Sequence, residues 1–211
     1  MHNGKNQGCE PRNAVTENAE KAYLISEFNG HMFPTKSWDS EAHRREHAIR
    51  HARVLNAAAA GENISGCFGW CMFDYNTHKE FGSGDRICYH GVLDMFRNPK
   101  LAAAVYASQQ DAKPVLEISS TMNIGEQPGG YIGGVVVLTN GDSVRLYKNN
   151  ELIRQYFPAP SYGHLMHPPI VITDFVGESL EKKEGFDEKT ADLIKQWLKW
   201  KESNPQDPFP F

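Results

Sequence analysis

Glu27 lies at the end of a short apolar run, Ala22-Tyr23-Leu24-Ile25-Ser26-Glu27-Phe28, and Asn29-Gly30-His31 and Pro34 follow it. A second run, Ser65-Gly66-Cys67-Phe68-Gly69-Trp70-Cys71-Met72-Phe73, ends at Asp74. A carboxylate at the end of one buried strand and a tryptophan near the end of another are the kinds of group that a sugar-handling site needs. The carboxylate can act on a reacting carbon, and the C–H face of a pyranose packs on an indole. Asn29, His31, Asp74, His78, Asp85, Arg86, Tyr89 and His90 add donors and acceptors for hydroxyl groups. Alone, a Glu at a strand end is more often a terminus reaching water, and a single Trp is as often core as site.

His43-Arg44-Arg45-Glu46-His47 matches the His-x-x-Glu-His pattern of inverted zinc peptidases, with His51 one turn further on. The same residues fit an amphipathic helix whose charged side chains cover its solvent face, and a catalytic zinc needs another placed ligand and an open position. The solvated face is the reading adopted here, so neither metal nor cofactor is expected. His164, His167 and Asp174 form no ligand set and read as loop. Trp197 and Trp200, three apart on one helix face, read as packing, and Asp187 as the cap of that helix.

The elements that must position these residues follow from periodicity. The run ending at Glu27 is a strand. Residues 39 to 60 are rich in helix formers, with Ala48, Ala52, Leu55 and Ala59 at helical spacing and Gly61 as a stop. Strand, helix and the strand ending at Asp74 make a βαβ unit with parallel strands, and parallel sheets carry their sites at the strands' C-terminal ends. Residues 75 to 97 read as a long functional loop. Asn98 as N-cap and Pro99 at the first helical position open a helix to about residue 110. Beyond Asp111 the texture is β: strands are expected over 114 to 120, 131 to 138, 143 to 147 and 152 to 157, with hairpin turns at Asn140-Gly141 and Asn149-Asn150. Residues 187 to 201 form a helix with Leu193, Ile194, Trp197 and Leu198 as its apolar stripe.

The chain has 211 residues, 40% of them hydrophobic and 23% charged, and a net charge of −4. No apolar run reaches the roughly 20 residues of a membrane span. Without a basic stripe, neither nucleic acid nor a membrane surface is an expected partner. The polar start Met1-His2-Asn3-Gly4-Lys5 has no signal-peptide core, so a cytoplasmic location is expected. Cys9, Cys67, Cys71 and Cys88 read as reduced, mostly buried thiols.

Three segments carry a resemblance: Ile25-Ser26-Glu27-Phe28-Asn29-Gly30-His31, then Gly66-Cys67-Phe68-Gly69-Trp70-Cys71-Met72-Phe73-Asp74, then Gly91-Val92-Leu93-Asp94-Met95-Phe96-Arg97-Asn98-Pro99-Lys100. In order and spacing they resemble the last third of the catalytic barrel of glycoside hydrolase family 2, the β-galactosidase and β-glucuronidase family. The stretch from Val135 to Tyr147 resembles the immunoglobulin-like domain that follows that barrel.

The implied fold is α/β plus β. Residues 1–111 would form a βαβα portion of a (β/α)8 TIM barrel, strands seven and eight, and residues 112–211 an immunoglobulin-like β-sandwich region with a helical extension. Glu27 would be the nucleophile of a retaining β-glycosidase, with Asn29, His31, Trp70, Asp74, Asp85, Arg86 and His90 contacting a carbohydrate substrate. The resemblance implies a second carboxyl group about 5 Å away as acid and then base. In the family that Glu stands in an upstream Asn-Glu pair, whereas here Glu17-Asn18 has the reverse order. A complete barrel takes about 250 residues and eight strands. The expected partner is therefore an upstream barrel portion, or a second copy, and activity of the chain alone is expected to be negligible. Cys88-Tyr89-His90 stands where the glucuronidase branch places Asn-x-Lys, which favours a neutral sugar, β-galactoside first. The competing reading is a non-catalytic carbohydrate-binding or interaction module.

Overall fold

The computed structural model describes residues 9–18, 20–30, 33–79, 86–122 and 134–203. A short helix α1 (Arg12–Val15) precedes strand β1 (Tyr23–Phe28), helix α2 (Glu41–Ala60) and strand β2 (Ile64–Gly69). β1 and β2 pair in parallel, with Phe28 opposite Gly69, so the expected βαβ unit is present. Ser40 caps α2 by accepting the His43 N–H at 3.3 Å, and Gly61 follows its last residue.

α2 covers one face of this sheet, where Tyr23, Ile25, Phe28 and Val54 form a core with Leu55, Ile64 and Cys67. Its polar side chains differ from the expected solvated face. His47, Arg50 and His51 are buried, and Ala59 is exposed. The helix needs a wide buried arc because two layers flank it: Ala48, Ile49 and Ala52 pack with helix α3 and with Val136 and Leu138 of the β region.

Strand β2 ends at Gly69 rather than at Asp74, because Trp70 leaves the sheet. The loop expected over 75 to 97 contains a small antiparallel ladder, β3 (Tyr75–Asn76) with β4 (Ile87–Cys88). Helix α3 (Leu101–Ala107) starts later than predicted. Asp94 accepts from the N–H groups of Phe96 and Asn98 and from the Asn98 side chain, which holds Asn98 in a turn and leaves Lys100 at the N-cap.

The β region holds β5 (Leu116–Ile118), β6 (Val135–Thr139), β7 (Val144–Lys148), β8 (Glu151–Tyr156) and β9 (Ile170–Ile172). β6 is the centre of an antiparallel sheet ordered β5-β6-β9, and β7 and β8 form a hairpin. Asn149 and Asn150 both take left-handed φ (52° and 66°), as a two-residue hairpin turn requires. Asn140-Gly141 is not a hairpin. The Asn140 side chain accepts from Val115 N and donates to the carbonyls of Gln110 and Lys113, so the chain crosses between sheets there. β9 lies in a stretch that reads as loop from sequence.

Along β6 the side chains alternate: Val136 and Leu138 join α2 and α3, while Val135 and Val137 join Ile170, Ile172 and the hairpin's Val144, Leu146 and Tyr156. The β region therefore shares part of its core with the helices. A 3-10 turn (Pro160–Tyr162) and helices α4 (Ser179–Lys182) and α5 (Glu188–Ser203) complete the described chain. Asp187 caps α5 through Thr190 as expected. Its predicted stripe is only partly covered: Ile194 and Trp197 are half-buried, Leu193 and Leu198 are exposed, and Ala191 beside them is buried. Of the four free thiols only Cys88 is buried, and the other three are half-buried, fewer than the sequence suggests. No described helix is long and apolar enough to cross a membrane.

Candidate active site

The parallel register sets the geometry. β1 ends with Glu27 and Phe28, β2 ends at Gly69, and Trp70 N donates to Phe28 O at 2.8 Å, tying the two strand ends together. Phe28 is fully buried, and a β-carbon at residue 69 would collide with the Tyr106 hydroxyl and press on the Phe28 ring, so a glycine fits there. Glu27 is half-buried at the rim. Trp70 is 39% exposed and meets Tyr75 edge-on, with centroids 6.1 Å apart. Burial pushes the Tyr75 hydroxyl pKa up to about 12, so this neighbour stays neutral.

The other predicted site residues divide by place. Asn29, in the left-handed conformation (φ 59°), is buried where the chain turns away from β1. Arg86 is exposed just ahead of β4, its carbonyl accepting from Thr77 N. Asp74 and His90 face inward and act as supports. Asp74 Oδ1 accepts from Gly91 N at 2.9 Å and pairs with Lys100 Nζ at 2.6 Å. The His90 ring takes the Phe33 N–H on Nε2 at 3.3 Å, which leaves Nδ1 to face Cys88 Sγ at 2.9 Å. His31 and Asp85 lie outside the described residues.

Lys100 is the residue that sequence reasoning missed. It stands inside the third motif, but nothing in its spacing marks it as buried. Its ammonium donates to Asp74, to Thr35 O at 2.7 Å and to Tyr89 O at 3.4 Å, so one side chain holds together the loop after β1, the loop after β2 and the segment after β4. The pair is almost sealed, with side chains 3% and 2% exposed. Burial pushes the Asp74 carboxyl up and the Lys100 amine down, and the ion pair opposes both shifts. Removing one partner alone would leave a buried charge, at a cost of about 3 to 5 kcal/mol. Gly91 completes this support: a β-carbon there would collide with the backbone of Phe73, Asp74 and Leu93.

The zinc-peptidase pattern does not assemble. Glu46 is engaged by Arg50 at 2.9 Å and Arg53 at 3.1 Å, and His43 Nε2 lies 2.9 Å from Pro34 O. Among the described residues no group of His, Cys, Asp and Glu could hold a metal ion. What remains at the rim is a half-buried carboxylate at the end of β1 and a partly exposed indole just past the adjacent end of β2. Such a pair can present an oxygen nucleophile to a ring carbon while the ring's apolar face rests on the aromatic.

No family model matches the chain. Among characterised proteins it is 45% identical to a β-galactosidase of Thermoanaerobacterium thermosulfurigenes over 177 residues, which take 82% of this chain and 25% of that protein. It is 41% identical to a β-galactosidase of Thermoanaerobacter pseudethanolicus over 155 residues, 71% of this chain and 20% of that one. This chain is a glycoside hydrolase family 2-like segment. The segment spans between a fifth and a quarter of the length of these relatives. Its fold is similar to a Bacteroides uniformis β-glucuronidase covalently bound to cyclophellitol-6-carboxylate aziridine. That match has a TM-score of 0.54 and 18% identity, and covers 71% of this chain and 18% of that one. The names of these relatives and of this structural neighbour are those of glycosidases.

Proposed function

We propose that the chain is the nucleophile-bearing portion of a retaining β-glycosidase that acts on terminal β-galactosides. Its β1 and β2 would serve as strands seven and eight of a (β/α)8 barrel, and the region from residue 112 as the immunoglobulin-like domain with a helical extension. The observation that carries this reading is the placement of Glu27 and Trp70 at adjacent C-terminal ends of two parallel strands, joined by the Trp70 N to Phe28 O hydrogen bond. The likeness to two β-galactosidases supports the choice of sugar.

In this mechanism a Glu27 oxygen attacks the anomeric carbon from the face opposite the leaving group. The C–O bond to the leaving group breaks, and a carboxyl group from the upstream portion gives that oxygen a proton. Water then displaces Glu27, losing its proton to the same upstream carboxylate, so the configuration is retained. The sugar stacks on Trp70, and Asn29, His31, Asp85 and Arg86 are the candidates for its hydroxyls. Asp74 and His90 act through the backbone they hold. The partners are the carbohydrate and the upstream portion of the barrel.

The test supplies the chain with the upstream portion of the Thermoanaerobacterium thermosulfurigenes relative and measures hydrolysis of nitrophenyl β-galactoside. Turnover is expected only in the mixture, and Glu27→Gln is expected to lower it by about 10⁴-fold, as losing the attacking group of a catalytic set does. With Glu27→Gly, added azide should restore turnover and yield the α-azide, because azide enters from the face Glu27 vacates. An unchanged rate in Glu27→Gln, or a β-azide product, would overturn the assignment. A verified complex without turnover would favour the interaction-module reading.

A further inference from the structure

Trp38 is 74% exposed, on the turn between the end of β1 and the start of α2. That turn is pinned: Lys36 N donates to Asp39 Oδ2 at 2.7 Å, and Asp39 N to Lys36 O at 3.2 Å. The indole meets the Tyr89 ring at 78° with centroids 6.3 Å apart. The Lys36 ammonium stands 4.7 Å from the Tyr89 centroid and 6.0 Å from that of Trp38. Two aromatic rings and a cation thus make one open, preorganised surface.

The surface adjoins the rim that holds Glu27 and Trp70. Thr35 N donates to Tyr89 O at 2.9 Å, and Cys71 N to His90 O at 3.4 Å. The Tyr89-His90 segment therefore runs between the loop after Glu27 and the residue next to Trp70. An exposed indole beside a second ring offers an apolar plane to the C–H face of a sugar, and an ammonium at its border can donate to hydroxyls. A rigid turn keeps the ordering cost of binding low.

We propose that Trp38 and Tyr89, with Lys36, form a second saccharide platform that takes the sugar on the leaving-group side of Glu27. This rests on the glycosidase reading. If the ring at Glu27 is the terminal one, any further ring lies on the leaving-group side, and the platform extends the same rim.

Two measurements test it with β-linked galactobiose as the probe. In the 211-residue chain, the Trp38 indole N–H resonance, identified by its loss in Trp38→Ala, should shift and saturate on titration. In the complemented enzyme, the ratio of kcat/KM for galactobiose to that for β-galactosyl fluoride should fall about tenfold in Trp38→Ala, the scale of one aromatic contact, and recover in Trp38→Tyr. The fluoride substrate has no sugar beyond the cleaved bond, so an equal loss on both substrates would overturn the platform. So would an unmoved Trp38 resonance while that of Trp70 shifts, or a Trp38 sealed from acrylamide quenching once the upstream portion binds. No fluoride turnover by the complemented parent would count against the glycosidase reading instead, and the resonance titration then decides the platform.

Discussion

His47 is buried on α2, its ring 5.0 Å from that of His51. Burial, aided by the neighbouring His51, Lys100, His90 and His43, holds its pKa well below the ordinary 6.5. The folded chain keeps this ring neutral at pH values where the unfolded chain protonates it. In that window the unfolded state binds more protons, so stability is fully present above about 6.5 and is lost as pH falls toward the lowered folded value. The His47 contribution has a slope of up to about 1.4 kcal/mol per pH unit. Urea unfolding at neutral pH and at mildly acid pH should show this loss, and His47→Gln should flatten it. Parallel curves for parent and variant would show that burial of His47 does not set the acid limit. The same scale explains what was legible in the site. Glu27 and Trp70 announce themselves by lying near the ends of apolar runs. His47 and Lys100 do not, because a histidine or lysine between helix formers looks solvated until the layer above it is known.

Elements were legible where local chemistry decides them and obscure where a distant neighbour does. α2, β1, the start of β2 and the Asn149-Asn150 hairpin follow from periodicity, capping and left-handed Asn pairs, and lie close to where the sequence puts them. β9 was missed because Ile170-Val171-Ile172 is short and follows a proline-rich stretch, and its pairing with β6 is a long-range choice. Asn140-Gly141 has hairpin chemistry, yet the Asn140 side chain is used to bridge to Gln110, Lys113 and Val115. α5 is a case in which a local signal sufficed and carries a pH consequence. Asp187 accepts from the Thr190 hydroxyl at 2.7 Å and from Thr190 N at 3.0 Å, and these bonds hold its carboxyl below the ordinary value. Because the folded value is lowered, the cap stabilises α5 above the ordinary carboxylate range and is lost as pH falls through the lowered value. The protection of the Thr190 amide, its exchange rate relative to that of an unstructured amide at the same pH, should fall over that acid range. Asp187→Asn, which caps without ionising, should remove the pH dependence and keep the helix. An equal acid response in the variant would mean that other groups unfasten α5.

At the scale of the molecule, one side of the β1–β2 sheet is finished and the other is not. α2 covers the side bearing Tyr23, Ile25 and Phe28, while on β1 and β2 Leu24 is 50% and Phe68 61% exposed. Among the described residues the sheet has two strands, so each strand presents an outer edge. An apolar groove of about 500 Å³ opens beside β2, lined by Cys71, Met72, Val92, Leu93, Ala103 and Tyr106. Bare edges next to apolar surface pair with whatever strand is offered. For a segment that covers a quarter of a relative's length, two sources of that strand can be tested, the upstream portion of such a relative or another copy of itself. The chain alone should therefore self-associate as concentration rises in sedimentation velocity, and addition of the upstream portion should replace that association with a one-to-one complex. Phe68→Lys places a charge on the uncovered face, far from the α2 core, so it should reduce self-association while leaving the chain folded by circular dichroism. The upstream portion needs the same face, so the variant should also lose complementation. A stable dilute monomer with cooperative unfolding would remove the premise. A Phe68→Lys chain that no longer self-associates yet still complements would separate the two surfaces and assign the contact with the upstream portion to the strand edges and the groove.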